Sequence, residues 1–359
     1  MDLRRLLAPA LIAMLLPVAT AEAKLTAERV PLLTTSVSAP VAAKRTCSAS
    51  LAAPGAAGVV TRKLTIATGG LLDARLHGSP TGDDWDLAVF NALTGRLLNG
   101  SAAFGGNEVA QTPVLPGDVI VVQACRRSGS SATVRLSVDD VVVSGAAPRA
   151  NKLQLVSISF RSTKQVDRLA KAGIDLNETA KGKSIDAVLH GPADVAKLRR
   201  RGMRFNVRIP DLAAYDSAHT RGAADPVTDA ALGPSGLPSG RRSYRHLVDY
   251  ENDLKALVDA HPDMVRPVVL PKTSVEGRTL EGVEMARNVN ATDDGRPTHV
   301  EMGLHHVREW PSGEVTIEYG MLLAQKAAHD KRIDTLLDGE RTFIFPVINP
   351  DGLEVTQMA

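Results

Sequence analysis

The pattern of hydrophobic and polar positions changes three times along the chain after an apolar N-terminal stretch. From residue 24 to about 148, apolar residues alternate with polar ones or form short runs, and no stretch has a helical period. Val134, Leu136 and Val138 alternate with polar neighbours, which is typical of a half-buried strand. The nearly apolar run from Asp118 to Cys125 predicts a central strand covered on both faces. Residues 24–148 are therefore predicted to form a β-sandwich or a jelly roll.

Residues 151–212 have a different period. Apolar alternation predicts three strands, and stripes at helical spacing between them predict two helices. The segment between Gly173 and Lys183 leaves room for a fourth strand. This order predicts a small ferredoxin-like α+β unit. The predicted strands lie around residues 156–160, 185–189 and 205–209.

A linker is predicted over residues 213–242, where Ala, Gly, Pro and Ser dominate and the dibasic pair Arg241-Arg242 closes the segment. From residue 243 to residue 359 the chain becomes compact again. Leu247, Tyr250, Leu254 and Leu257 share one helical face. Strands and helices alternate after this helix, which predicts an α/β layer structure. The strands are expected around residues 265–270, 280–287, 298–304 and 342–348, with a helix starting near Pro311.

Composition narrows the class of partner. Hydrophobic residues make up 44% of the 359 residues and charged residues 23%, as in ordinary globular proteins. The 42 basic and 40 acidic residues give a net charge of only +2, so no clustered basic excess points to nucleic acid. Aromatic residues are 3% of the chain, which argues against base-stacking platforms. No nucleic-acid partner is expected.

The N-terminus has the pattern of a secretory signal peptide over residues 1–23. Arg4 and Arg5 form a basic start, residues 6–18 are apolar, and Ala21-Glu22-Ala23 fits a cleavage site. An uncleaved anchor is the alternative. No later stretch is apolar for long enough to span a bilayer, so the protein is expected to be secreted, with no membrane partner after signal removal.

Two further sets of residues in the N-terminal region have alternative interpretations. Export favours a disulfide between Cys47 and Cys125, and two separate buried thiols are the alternative. Asp83, Asp84 and Asp86 are a candidate calcium site, although acidic residues are also common in ordinary turns.

The informative chemistry lies between a predicted strand and a predicted helix, over residues 303–314. Catalytic groups of open α/β sheets gather outside the carboxyl ends of strands. His306 and Glu309 are three residues apart there, so one turn of backbone can aim an imidazole and a carboxylate at one point. Both are ordinary zinc ligands. Taken alone, the pair is equally compatible with a surface ion pair or a polar loop.

Three motifs in order resemble the carboxypeptidase A/B type zinc carboxypeptidase family. The segment from His306 to Trp310 resembles the family's zinc-binding signature. Ser274-x-Glu276-Gly277-Arg278 lies upstream of it, and Asn349-Pro350-Asp351-Gly352 follows a later strand. The segment from Tyr244 to Tyr250 and the pair His261-Pro262 also look like the start of that catalytic domain.

This resemblance implies a function for each matched residue. His306 and Glu309 would be two ligands of a Zn²⁺ cofactor, and Arg308 would hold the substrate peptide beside the metal. The implied substrates are the C-termini of peptides and proteins. Residues 243–359 would then form the N-terminal part of an α/β catalytic domain with a mixed sheet. Residues 151–212 are similar, more loosely, to the family's activation segment.

The chain also departs from the family pattern. The family's third zinc ligand, its general base and its specificity pocket come later than Ala359, and His329 is a poor substitute because it is predicted on a helix surface. The expectation is therefore a truncated, inactive form, with an unpaired apolar edge around residues 300–304. Two other hypotheses are a secreted binding protein that acts through its β-sandwich, and a zymogen in which residues 151–212 cover the site until cleavage near Arg241-Arg242.

Overall fold

The computed structural model describes residues 26–41, 46–78, 82–144, 152–177, 179–215, 235–291 and 294–358. The predicted signal peptide and most of the predicted linker lie outside these residues. Within the described part of the chain, no helix is long and apolar enough to cross a membrane. The chain divides into two compact units. One contains Ser144–Pro226, and the other contains Ala27–Val143 together with Val227–Ala359.

The N-terminal region consists of two four-stranded antiparallel sheets that enclose one apolar core, and we call it the β-sandwich. One sheet has the order β1-β8-β3-β6 and the other β2-β7-β4-β5. Both sheets contribute to the core, with Leu76 and Leu136 from the first and Val89 and Val122 from the second. The strands are β1 (Thr26–Ser38), β2 (Val59–Thr65), β3 (Gly70–His77), β4 (Asp84–Asn91), β5 (Leu97–Ser101), β6 (Asn107–Val114), β7 (Val119–Ser128) and β8 (Thr133–Ser144).

The hydrophobic pattern agrees with this arrangement at the strands that it marked most clearly. Val134, Leu136 and Val138 all lie in the core, on the inward face of β8. The apolar run of β7 is a central strand, paired with β2 on one side and with β4 on the other. Cys125 of β7 forms a disulfide with Cys47, 78 residues earlier in the chain. The alternative of two separate thiols is therefore not what the structure contains.

The calcium hypothesis for Asp83, Asp84 and Asp86 is wrong, and the last two lie on strand β4 rather than in a turn. Asp84 and Asp86 both bind the buried ammonium of Lys255, with Oδ1–Nζ distances of 2.6 Å. Asp83 accepts a hydrogen bond from the backbone N–H of Ser131. Since these carboxylates already have cationic or N–H partners within the protein, they do not form a group of free oxygen ligands for a cation.

The smaller unit contains a four-stranded antiparallel sheet with two helices. Its sheet order is β10-β11-β9-β12, and the chain order is β-α-β-β-α-β, as in ferredoxin-like folds. The fourth strand is the two-residue β10, between Gly173 and Lys183. The elements are β9 (Gln154–Ser159), α1 (Thr163–Lys171), β10 (Asp175–Leu176), β11 (Ser184–Leu189), α2 (Pro192–Arg200) and β12 (Arg204–Ile209).

The C-terminal region, residues 243–359, builds a mixed sheet of order β13-β14-β16-β15 with helices packed on it. Strand β15 pairs with β16 in parallel, while β14 is antiparallel to both of its neighbours. The elements are α3 (Leu247–Ala260), β13 (Val265–Val269), β14 (Glu281–Met285), β15 (Thr298–Met302), α4 (Trp310–Lys326), α5 (Lys331–Gly339), β16 (Arg341–Phe345) and α6 (Pro350–Met358).

Details of the C-terminal region differ from the sequence predictions. Helix α3 begins at Leu247, three residues after Tyr244. Strand β15 is the outer strand of the described sheet, with Val300 47% and Met302 46% exposed, as expected, but Leu304 is fully buried.

Arg241 is half-buried and pairs with Asp249 and Asp253 of α3, so this half of the dibasic pair belongs to the folded region. The zymogen hypothesis stays a prediction.

The β-sandwich and the C-terminal region meet at a surface rich in buried carboxyl groups. Glu251 of α3 is 5% exposed and accepts a hydrogen bond from the backbone N–H of Ala102. Burial raises the pKa of Glu251 to about 7. The Ala102 hydrogen bond, Lys255 and Arg278 oppose this shift, and Glu354 adds to it. Burial also raises the pKa of two neighbouring groups well above the ordinary value of glutamate. These are Glu108 and Glu281.

The raised pKa of Glu251 predicts that the free energy of unfolding falls as pH rises. The folded-state pKa of Glu251 lies above that of exposed glutamate, about 4.3, so its contribution to stability is complete below that pH and is lost as pH rises towards about 7. We expect Glu251→Gln to flatten this decline, so that the variant gains stability relative to the wild type between pH 5 and pH 8. Urea unfolding at several pH values measures this difference. A difference that does not change with pH would contradict the assignment.

Candidate metal centre

The parallel pairing of β15 and β16 brings two of the sequence motifs together. Both strands end at the same edge of the sheet, so the loop after β15 lies beside the loop after β16. The backbone N–H of Gly303 donates to Phe345 O at 2.9 Å, and the N–H of Ile348 donates to Gly303 O at 3.2 Å. The Asn349 side chain reaches His305 O at 3.4 Å. The predicted site therefore lies outside the carboxyl ends of adjacent strands.

The loop between β15 and α4 has a fixed backbone. Leu304 adopts φ of +51°, which turns the chain sharply after Gly303. The N–H of Leu304 donates to the hydroxyl of Ser312, and that hydroxyl donates to Glu309 O at 2.7 Å. The N–H of Glu309 donates to His306 O at 3.0 Å, which closes a turn between the two candidate ligands.

The two candidate ligands face each other. His306 Nδ1 lies 3.3 Å from Glu309 Oε1, and the side chains are 65% and 50% exposed. Glu309 is the N-cap residue of α4, but its carboxylate does not cap the helix. Both side chains of the pair are therefore exposed to solvent.

This geometry fits zinc. Two atoms that are each about 2.1 Å from a tetrahedral zinc ion lie about 3.4 Å from each other. The observed separation of 3.3 Å between Nδ1 and Oε1 is compatible with this value, and it is also the length of an imidazole–carboxylate hydrogen bond, such as the one between His190 and Asp175 at 3.2 Å. Imidazole nitrogen and carboxylate oxygen are also the donor types that catalytic zinc sites use. In the described part of the chain, no group of three or more His, Cys, Asp or Glu residues could hold a metal ion.

The other predicted residues lie around this pair. Arg308 is exposed, and among the described residues its guanidinium has no hydrogen bond or ion pair, so it is available to a ligand. The Trp310 indole N–H donates to the hydroxyl of Thr356, which bonds in turn to Val307 O. The prediction that His329 lies on a helix is wrong: it lies in the turn after α4. The 17 residues of α4 separate it from the loop by about 25 Å, so it cannot complete the site.

Two carboxylates of α4 have structural partners. Glu314 accepts hydrogen bonds from Arg245 and from the phenol of Tyr250. Glu318 accepts from Arg245 Nη2 at 2.8 Å and from Ser239 N at 2.9 Å. Burial would raise the pKa of Glu318, but these hydrogen bonds outweigh it and lower the pKa. Neither carboxylate is free to act as a general base.

The buried Arg245 was not identified from the sequence. Its side chain is 0% exposed, and it binds Asp253, Glu314 and Glu318 together. Burial would lower the pKa of Arg245, but these carboxylates raise it, so the guanidinium stays charged. No local signal marks this residue, because an arginine just before a helix usually lies in solvent. Its effect is to fix the first three turns of α4, which begins beside His306 and Glu309.

Asp351 joins the remaining two motifs. Its Oδ1 accepts from Ser274 Oγ at 2.8 Å and from Arg278 Nη1 at 2.7 Å, and its Oδ2 accepts from Glu276 N at 2.9 Å. Burial would raise the pKa of Asp351, but these donors lower it. The segment from Ser274 to Arg278 is a tight turn in which Gly277 adopts φ of +89°. The turn is thus fixed to the start of α6, next to the loop that carries His306 and Glu309.

Comparisons with known proteins agree with these motifs. Residues 250–359 match the family model described as "Zinc carboxypeptidase". A zinc carboxypeptidase from Saccharothrix mutabilis subsp. capreolus is 28% identical over 188 residues, which cover 52% of this chain and 41% of that protein. Carboxypeptidase D from Mus musculus is 27% identical over 163 residues, 43% of this chain and 12% of that protein.

The crystal structure of carboxypeptidase A from Helicoverpa armigera aligns with a TM-score of 0.44 and 19% identity, covering 59% of this chain and 52% of that one. The chain thus spans about two fifths of the Saccharothrix protein and about half of the solved one.

Proposed function

We propose that the protein is a secreted zinc-binding protein of metallocarboxypeptidase type that binds the C-termini of peptides. Residues 250–359, which match the zinc carboxypeptidase family model, support this proposal. The observation that carries the proposal is the 3.3 Å approach of His306 Nδ1 to Glu309 Oε1 beside the carboxyl ends of two parallel strands. The signal-peptide pattern of residues 1–23 supports secretion.

Three residues of the loop have separate roles in this proposal. His306 and Glu309 hold the zinc ion, and their fixed backbone keeps the two donors converged before the metal arrives. Arg308 presents an exposed guanidinium next to them, which suits a peptide carbonyl or a terminal carboxylate. When bound, zinc supplies Lewis-acid activation of a water molecule and of a peptide carbonyl.

The described residues do not complete a hydrolytic site on their own. A catalytic zinc site uses three protein ligands and a group that removes a proton from water. Only two donors converge here, and the nearby carboxylates Glu314 and Glu318 are held by Arg245. We therefore assign metal and peptide binding to these residues, and we expect this 359-residue chain to be inactive in hydrolysis.

A peptidase assay of the purified chain tests this expectation. With zinc added, we expect no release of free amino acid from a dipeptide with a free C-terminus, and the same result with a C-terminally blocked one. Zinc alone and chelator-treated protein are the controls. Release from the free dipeptide that a chelator abolishes would show that residues outside our assignment complete the site.

A further inference from the structure

A loop of the β-sandwich binds carboxylates of the C-terminal region through its backbone. The loop is Ala102 to Phe104, which follows strand β5. The N–H of Ala102 donates to Glu251 Oε2 of α3 at 2.6 Å, and the N–H of Phe104 donates to Glu281 Oε2 of β14 at 2.5 Å. The Phe104 side chain packs against the apolar core of the C-terminal region. The loop thus joins the two regions by both polar and apolar contacts.

A buried lysine of the C-terminal region also pairs with carboxylates of the β-sandwich. Lys255 of α3 is 2% exposed, and its ammonium lies between Asp84 and Asp86 of strand β4. Buried charges are costly unless they are paired. A β-sandwich that moved freely on a tether would leave Lys255 without its counter-ions, so this residue is suited to a permanently docked state.

Three side chains of the β-sandwich hold the turn from Ser274 to Arg278. Gln111 Oε1 accepts from Arg278 Nη2 at 2.7 Å, deep in the boundary. Arg75 Nη1 donates to the backbone oxygen of Glu276 at 2.6 Å, and Asn107 Nδ2 donates to that of Gly277 at 2.9 Å. The turn therefore has two supports, the β-sandwich on one side and Asp351 on the other.

Further contacts connect this turn to the loop between β15 and α4, which carries His306. Asp351 lies two residues after Asn349, at the start of α6. The Asn349 side chain donates to His305 O. Gly352 lies so close to Val307 that a Cβ atom at residue 352 would be 2.1 Å from Val307 Cγ1. A shift of the Ser274–Arg278 turn would therefore also move the start of α6 and the loop that carries His306.

From these contacts we infer that the β-sandwich is a docked positioning domain, whose partner is the C-terminal region of its own chain and whose task is to hold the Ser274–Arg278 turn. This role differs from that of a free binding module, which would present the same surface to another protein. The inference does not depend on zinc binding, because every contact that carries it is made by the protein alone.

Cleavage of the folded chain tests the docking. A single protease site is introduced within residues 216–234, and the purified full chain is cut after folding. The Cys47–Cys125 disulfide lies entirely in the N-terminal product, so no covalent bond joins the two pieces. We expect the pieces to co-elute in a 1:1 ratio on size-exclusion chromatography. Separation of the pieces under native conditions would overturn the inference.

Hydrogen exchange of the uncut chain tests the positioning role. Loss of one hydrogen bond to a charged group should speed local opening by about 10-fold or more, so Gln111→Ala should raise amide exchange by that factor in residues 274–278. The matched control is His77→Ala, since the His77 ring bonds only to Ser137 within the β-sandwich among the described residues. Equal exchange in both variants would show that the turn is held without the β-sandwich.

Discussion

Replacing Lys255 by methionine is expected to lower the free energy of unfolding by about 3–5 kcal/mol. The ammonium is 2% exposed and lies 2.6 Å from one oxygen each of Asp84 and Asp86. Burial would lower the pKa of Lys255, but the two carboxylates outweigh it and raise the pKa, so the lysine is charged in the folded protein. Its loss leaves Asp86, which is fully buried, without a counter-ion.

Urea unfolding at pH 7 measures this effect. Lys63→Met is the matched control, because Lys63 is an exposed residue of β2 and its replacement should change stability by less than about 0.5 kcal/mol. A second variant separates charge from packing. Adding Asp86→Leu to Lys255→Met removes the stranded carboxylate and should recover part of the loss. Equal stabilities for the Lys255 and Lys63 variants would contradict the buried pair.

Replacing His306 by alanine is expected to weaken zinc binding more than about 100-fold. Loss of an outer-shell partner already costs 10–100-fold in metal affinity, and His306 supplies one of the two donors of the candidate site. The neighbouring His305 is the matched control. It is exposed and contributes its backbone oxygen to Asn349, so His305→Ala should leave the affinity nearly unchanged.

Competition with a fluorescent zinc indicator compares these two variants with the wild type. Circular dichroism should show the same secondary structure in all three proteins, because both histidines are exposed loop residues. If His305→Ala weakens zinc binding as much as His306→Ala, the loop binds the metal with a different ligand set from the one proposed.

Local patterns predicted the strand, the turn and the helix that surround the candidate site. Strand β15 ends before the loop that carries His306, and the helix after it begins at Trp310, next to the expected Pro311. Because β15 and β16 are parallel, the motifs that follow them had to meet at one edge of the sheet. The pairing of His306 with Glu309 needs only the three-residue spacing and one turn of backbone.

The boundary between the β-sandwich and the C-terminal region could not be predicted from such patterns. Glu251 and Lys255 are four residues apart on α3, a spacing typical of a solvent-exposed ion pair on a helix. In the structure each turns instead to a partner on the β-sandwich, Ala102 for the glutamate and Asp84 and Asp86 for the lysine. The hydrophobic face of α3 was visible in the sequence, but burial of its polar face depends on residues 149 to 171 positions away.

The same reason explains the failed calcium hypothesis. Asp84 and Asp86 flank Trp85 on strand β4, and the local sequence shows no partner for their carboxylates. Their counter-ion comes from a helix that the local pattern does not connect to them. Long-range ion pairs of this kind have no periodic signal, since a single lysine at one helical position is enough.

The central claim is that the imidazole of His306 binds zinc through Nδ1, the atom that faces Glu309. Long-range ¹H–¹⁵N correlation spectra of the histidine rings test it directly, with the His306 signals identified by their absence in His306→Ala. On addition of zinc, we predict a shift of the Nδ1 resonance of His306 while the ring of His305 stays unchanged. A His306 ring that does not respond to zinc, or a response confined to its Nε2, would contradict the claim.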